Sequence, residues 1–180
     1  DLERFKNHIK ELFSKNDREG FYSWSGLRYF LYEYELYLQD NANMKVSWED
    51  FNKRKKEDTI EHIYPQSPND IYWKNRFGHL KPSEKRQYLN SLGNLLLLNR
   101  SKNSKLQNYD FDKKKCLLNK DGKEIGYYNG SYSEIEVSKH KEWTPDEIKK
   151  RGLLMLQFME ERWKFSFDNW NISKEDILFP

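Results

Sequence analysis

The chain has 180 residues, enough for one domain with a real core. It is very polar, 34% charged with a mean hydropathy of −1.09, but 16% of it is aromatic, which argues against a disordered chain and points to a fold held by Trp, Tyr and Phe clusters. The net charge of +3 is too small to mark a nucleic-acid binder by itself, and one cysteine excludes a disulfide framework or a paired-cysteine zinc site.

Leu2, Phe5, Ile9, Leu12 and Phe13 recur at helical spacing, so residues 1–15 are predicted as an amphipathic helix, broken by Asn16 to Gly20. Ser25 is placed to cap a second helix with Leu27, Phe30, Leu31, Tyr34 and Leu38 on one face. Its many rings read as packing, not as a base-stacking platform. A turn is expected over 40–43 and a short polar helix over 47–56, starting at Ser47. Residues 59–64 form a β-prone run stopped by Pro65, and the two prolines of Pro65-Gln66-Ser67-Pro68 make the next stretch a loop. Short helices are expected over 71–77 and 83–89, the second capped by Ser83. Gly93 turns the chain into Asn94 to Asn99, an aliphatic strand that must be buried. Ser101 then caps a helix carrying Asn103 and Leu106, and 111–118 continues as helix or extended packing. Cys116 reads as a small buried residue. Residues 119–139, rich in Gly, Asn, Ser and Tyr, read as a loop or weak hairpin around Tyr127 to Gly130. Thr144-Pro145-Asp146-Glu147 is a strong helix start, and that helix runs to about Lys164, with Ile148, Met155, Met159 and Trp163 on one stripe. The tail, with Phe167, Trp170, Ile177 and Phe179, is expected to fold back on the body.

No stretch approaches the length of a membrane span and no signal peptide is visible, which fits a cytoplasmic protein. The chain begins at Asp1 without Met, which fits a piece of a longer polypeptide.

Two stretches carry the chemistry. Ile60-Glu61-His62-Ile63-Tyr64-Pro65-Gln66 puts an acid and a histidine side by side at the end of a strand. About thirty residues on, Asn94 leads the aliphatic strand, and Asn103 follows nine residues later in a basic stretch. Strand, long loop, strand, helix is the order of a ββα-metal finger, so the predicted fold class is α+β, with that finger over 58–118 embedded between N-terminal helices (1–57) and a loop or hairpin plus C-terminal helix (119–180). Phosphodiester hydrolysis needs an activated water and a cation to neutralise growing charge. His62 is the candidate general base, since imidazole titrates near neutrality. Strand alternation turns Glu61 to another side, where it can hold a metal together with the side-chain oxygen of Asn103. Asn94, an amide at the entry of a buried strand, can tie the loop to the backbone or ring of the histidine. Lys102, Lys105 and Lys114 are candidate phosphate contacts. Plainer readings stand beside these. Glu61 can pair with a lysine of the Lys53-Arg54-Lys55-Lys56 block, Asn103 can be a first-turn helix residue, and Arg151 can bridge as structure instead of binding phosphate. Asn108 and His79 are rival ligands, while His8 and His140 lie in charged surface stretches.

Taken in order, these motifs resemble the His-Me finger (HNH) endonucleases, the nuclease domain of CRISPR effectors included. They resemble more fully the C-terminal HNH domain of GmrSD-type modification-dependent restriction enzymes: Ile60 to Gln66, Trp73, Gly93-Asn94-Leu95-Leu96-Leu97-Leu98, Asn103 with Leu106 and Asn108, Phe111 with Lys114, then Trp143, Ile148 and Arg151. The resemblance spans roughly Arg28 to Arg151. It implies Mg²⁺-dependent (or Mn²⁺-dependent) cleavage of DNA, typically foreign phage DNA with modified bases, and a companion N-terminal domain that hydrolyses nucleotide and senses the modification. No Walker-type loop occurs in this chain, which reads as the nuclease half alone. One finger cuts one strand, so a double-strand break needs a dimer or two events. Where fuller metal sets of the family carry a second histidine, this chain has Asn103. The competing reading is a catalytically degenerate DNA-binding or assembly module.

Overall fold

The computed structural model describes residues 1–39 and 47–180, with the side chains of 48, 54 and 55 excepted. The fold is α+β. A two-stranded antiparallel ribbon, β1 (Asp58–His62) and β2 (Leu95–Asn99), lies inside a shell of helices. Register pairs Asp58 with Asn99, Ile60 with Leu97, and His62 with Leu95. Directly opposed residues share a face of a ribbon, and successive residues alternate between faces. One face therefore carries Asp58, Ile60, His62, Leu95 and Leu97, and the other carries Thr59, Glu61, Leu96 and Leu98.

Each face has its own core. The first packs on α1 (Leu2–Ser14), α2 (Leu27–Leu38), the C-terminal half of α9 (Pro145–Trp163) and α10 (Lys174–Leu178), through Ile9, Phe30, Leu31, Met155, Leu156 and Ile177. The second packs on Trp73 and Phe77 of α4 (Ile71–Phe77), Leu106 of α6 (Arg100–Leu106), Phe111 of α7 (Phe111–Lys115), Tyr127, Trp143, Ile148, and Val137 of α8 (Tyr132–Ser138). This double burial is why β2 reads as an unbroken aliphatic run. Helix α9 spans both cores. It crosses the turn leading into β2 (Leu92–Asn94) closely enough that a Cβ on Gly93 would lie 1.9 Å from the carbonyl oxygen of Ile148. Arg151, 1% exposed, fastens this crossing by donating from Nη1 to the carbonyls of Gly93 and Leu95, and from Nε to Glu136.

Helix starts follow local chemistry, with several shifts from expectation. Thr144 caps α9 and closes a capping box with Glu147. Helix α3 (Trp48–Glu57) starts after Ser47, whose Oγ accepts from Asp50 N. Helix α2 starts after Gly26 without a side-chain cap, so Ser25 does not cap it. Helix α5 (Pro82–Leu89) begins at Pro82, whose fixed φ suits a first turn, so Ser83 lies inside the helix. Asn99, not Ser101, caps α6. Within 119–139 the hairpin is minimal, β3 (Leu117–Leu118) with β4 (Glu124–Ile125), and α8 follows it, opened by a Ser131–Glu134 capping box. Cys116 is exposed, just past the end of α7 at Lys115. Phe167 and Ile177 fold back into the core, while Trp163 and Trp170 stay exposed. The turn expected over 40–43 lies outside the described residues. No helix among the described residues is long and apolar enough to cross a membrane.

Candidate active site

His62 ends β1 on the first face, 6% exposed. Its ring packs on Tyr22 at 4.6 Å between centroids, and its Nε2 lies 3.2 Å from Oδ1 of Asn90. An amide oxygen only accepts, so Nε2 carries the proton and Nδ1 is left as the basic nitrogen. Burial pushes the imidazole down to about 4, with the Lys114 charge adding to it and the Asn90 bond opposing. The ring is thus neutral at pH 7 and able to accept a proton.

Glu61 turns to the opposite face and is 4% exposed. Its Oε1 accepts from Nζ of Lys114 at 2.6 Å and from the hydroxyl of Tyr127 at 2.7 Å. The same ammonium donates to the carbonyl of His62 at 3.0 Å. Tyr127 is fully buried against this carboxylate, and burial, reinforced by Glu61, raises its hydroxyl well above the usual range. Asn103 reaches this face from α6. Its Nδ2 donates to Thr59 Oγ1 at 2.7 Å, and Thr59 donates onward to the carbonyl of Leu98. Thr59 and Glu61 are two apart on β1, so the strand's alternation sets Asn103 and Glu61 on one side.

Glu61 Oε2, Asn103 Oδ1 and His62 Nδ1 have no protein partner among the described residues, and none is sealed from solvent. The rest of each group is tied down. A carboxylate oxygen and an amide oxygen suit a hard divalent cation that keeps several waters. Among the described residues no three His, Cys, Asp or Glu side chains gather as a metal cage.

Asn94 is fully buried and makes four hydrogen bonds. Its Oδ1 accepts from Tyr64 N at 2.8 Å and from the indole of Trp143 at 3.1 Å, and its Nδ2 donates to the carbonyls of Tyr64 and Leu89 at 3.0 and 2.9 Å. It clamps the segment leaving β1, two residues past His62, and does not touch the ring. Asn90 holds the ring instead.

The lysines fall differently from expectation. Lys114 is completely buried, because α7 turns Phe111 and Lys114 inward one turn apart. Its ammonium is spent on Glu61 and His62 and has no side open to a phosphate. Lys102 pairs with Glu134 at 2.7 Å and donates to the carbonyl of Gly126. Lys105 is exposed. Glu61 does take a lysine partner, but from α7 and not from the 53–56 block. Asn108 and His79 lie exposed, outside this arrangement. Sequence reasoning missed Asn90, Tyr22 and Tyr127. Nothing local marks them, since they lie 28, 40 and 66 residues from the residues they touch; only Asn90, at the end of a helix beside the second strand, has a position that hints at contact.

Neither the curated proteins nor the solved structures hold a match to this chain. The family described as GmrSD restriction endonucleases, C-terminal domain, matches residues 6–158, which covers the second core, most of the first, the ribbon and every residue of the candidate site. The chain therefore belongs to the C-terminal domain family of the GmrSD restriction endonucleases, nucleases whose substrate is DNA.

Proposed function

We propose that this chain is a metal-dependent DNA endonuclease domain of the ββα-metal (HNH) type, the cleavage module of a GmrSD-type enzyme acting on modified foreign DNA. The observation that carries the reading is the set of open atoms around β1, Nδ1 of His62 on one face and Oε2 of Glu61 and Oδ1 of Asn103 on the other, each on a side chain whose other polar atoms are held. On this reading the finger is β1, β2 and α6, with the nuclease core in 58–118, and Tyr127 and Trp143 reach into it from the segment that follows.

Neutral His62 takes a proton from water at Nδ1 as the water oxygen forms its bond to phosphorus. The bond from phosphorus to the leaving sugar oxygen breaks in line, and that oxygen departs with a proton from solvent. Asn90 keeps the proton on Nε2, and Tyr22 holds the plane of the ring. A buried ring with its pKa near 4 is a weak base, and an anionic phosphodiester beside it raises that value toward neutrality. Glu61 and Asn103 hold the divalent cation, Mg²⁺ or Mn²⁺, which when bound neutralises charge growing on the phosphate and leaving oxygen. Asn94 keeps the strand exit, and with it His62, in place. Lys105, exposed on α6 beside Asn103, contacts backbone phosphate. The partner in a full enzyme is a nucleotide-hydrolysing sensor domain, and a double-strand break takes a dimer or two separate cleavage events.

One observation favours a second reading, a degenerate DNA-binding module: Lys114 already compensates the charge of Glu61. Nicking of a supercoiled plasmid with Mg²⁺ or Mn²⁺ separates the two. The enzyme reading predicts nicking by the wild type and a loss of about 10²-fold or more in His62→Ala at unchanged circular dichroism. A wild type that binds DNA and cuts with neither metal establishes the module.

A further inference from the structure

Lys114 is an unusual occupant of its position. Its side chain is 0% exposed, yet it contacts no phosphate-accessible surface and spends its charge on the one carboxylate of the site. The same ammonium also holds the carbonyl of His62. Tyr127 adds a second donor to the same oxygen, so the carboxylate is fixed with Oε1 inward and Oε2 outward. The other metal donor proposed on that side, Asn103, is neutral. The donor set therefore has no net charge: the carboxylate and the ammonium cancel. A divalent cation approaching Glu61 meets an attractive charge that is already compensated from behind.

We infer that Lys114 is a resident counter-cation that keeps the metal affinity of the DNA-free domain low, so that the divalent cation is taken up together with a DNA phosphate. This inference rests on Glu61 and Asn103 being the metal donors. The phosphodiester supplies the negative charge that the protein lacks, and binding of metal and of DNA then each strengthen the other by the same factor. Lys114 acts here as a positioning residue. It orients Oε2 through Oε1, ties that carboxylate to the backbone of His62, and lets the ribbon fold with Glu61 buried when no metal is present.

The test is Mn²⁺ binding to the full 180-residue chain, read by loss of the free-ion electron paramagnetic resonance signal. It is run with and without a short DNA duplex, in a His62→Ala background that prevents cleavage, with the duplex alone subtracted. The His62→Ala chain with native Lys114 is expected to bind Mn²⁺ weakly alone and about tenfold or more tightly with DNA, a coupling of ordinary size. Lys114→Gln keeps a donor for Oε1 and removes the charge. It is expected to bind Mn²⁺ about tenfold or more tightly without DNA, because a like charge a few ångströms away is gone. Lys114→Met gives an independent readout. Its melting temperature in EDTA is expected to fall by roughly 10 °C, as for a buried charge left unpaired, and to recover with Mn²⁺, while the chain with native Lys114 does not respond at the same concentration. If Lys114→Gln binds Mn²⁺ no more tightly, and Lys114→Met melts alike with and without Mn²⁺, while Glu61→Gln still abolishes the binding seen with native Lys114, the inference fails and the metal assignment stands. If the chain with native Lys114 shows no Glu61-dependent Mn²⁺ binding even with DNA, the metal assignment itself fails and takes the inference with it.

Discussion

Replacing Asn94 with alanine should cost more than any other polar-to-alanine change near the site. Asn94 is 0% exposed and all four of its hydrogen-bonding positions are used. Alanine leaves four partners without it: the N–H and carbonyl of Tyr64, the carbonyl of Leu89, and the indole N–H of Trp143. A buried polar group stranded in this way costs about 1–3 kcal/mol, and water entering the gap relieves part of it, so a total of about 4 kcal/mol is expected. For a domain of this size that lowers the melting temperature by roughly 8–16 °C. Urea denaturation followed by far-ultraviolet circular dichroism measures it, with Trp143→Phe as the control that strands one bond of the four. The loss in Asn94→Ala should be several times that in the control. A loss below about 1 kcal/mol would refute the view that this amide is the clamp holding the exit of β1.

His62 gives a pH dependence with a definite sign. Its folded pKa lies near 4, below the unfolded value of 6.5, so the unfolded chain takes up the proton first as pH falls. The contribution is complete above pH 6.5, declines between 6.5 and 4, and is spent below that. Stability of the wild type relative to His62→Gln should fall by about 3 kcal/mol from pH 7 to pH 4 in urea titrations, and parallel curves would rule this out. Gly93→Ala tests the crossing of α9 over the turn that leads into β2. The added Cβ meets the Ile148 carbonyl oxygen at 1.9 Å and Gly152 N at 2.7 Å, both backbone, so a loss of about 3 kcal/mol or more is expected by the same assay. Arg151→Met should also destabilise strongly, since it strands the carbonyls of Gly93 and Leu95 together. Thermal melting would show it, and an unchanged midpoint would contradict the bridging role.

Much of the frame is legible in sequence because its signals are local. The Thr144 cap, Pro145 and the helical spacing after them define α9. The unbroken apolar run of β2 demands burial on both faces, and the structure supplies a core for each. Helix α8 was also written locally, in Ser131-Tyr132-Ser133-Glu134, but Gly, Asn and Tyr around it imitate a loop. The surroundings of the site are a different matter. Whether Lys114 meets solvent or Glu61 depends on α7 lying under β1, which joins residues 53 apart. A basic run looks the same in sequence whether its members face water or one of them turns inward. Asn90 and Asn94 are both amides beside the second strand, and only the fold decides which holds the ring and which holds the loop.

The most direct test of the central claim is the anomalous scattering of Mn²⁺ in crystals of the His62→Ala chain bound to a DNA duplex. The account predicts one peak at about 2.0–2.2 Å from both Glu61 Oε2 and Asn103 Oδ1, with Lys114 still on Oε1. A peak held by other residues, or none while DNA lies across β1, would contradict it.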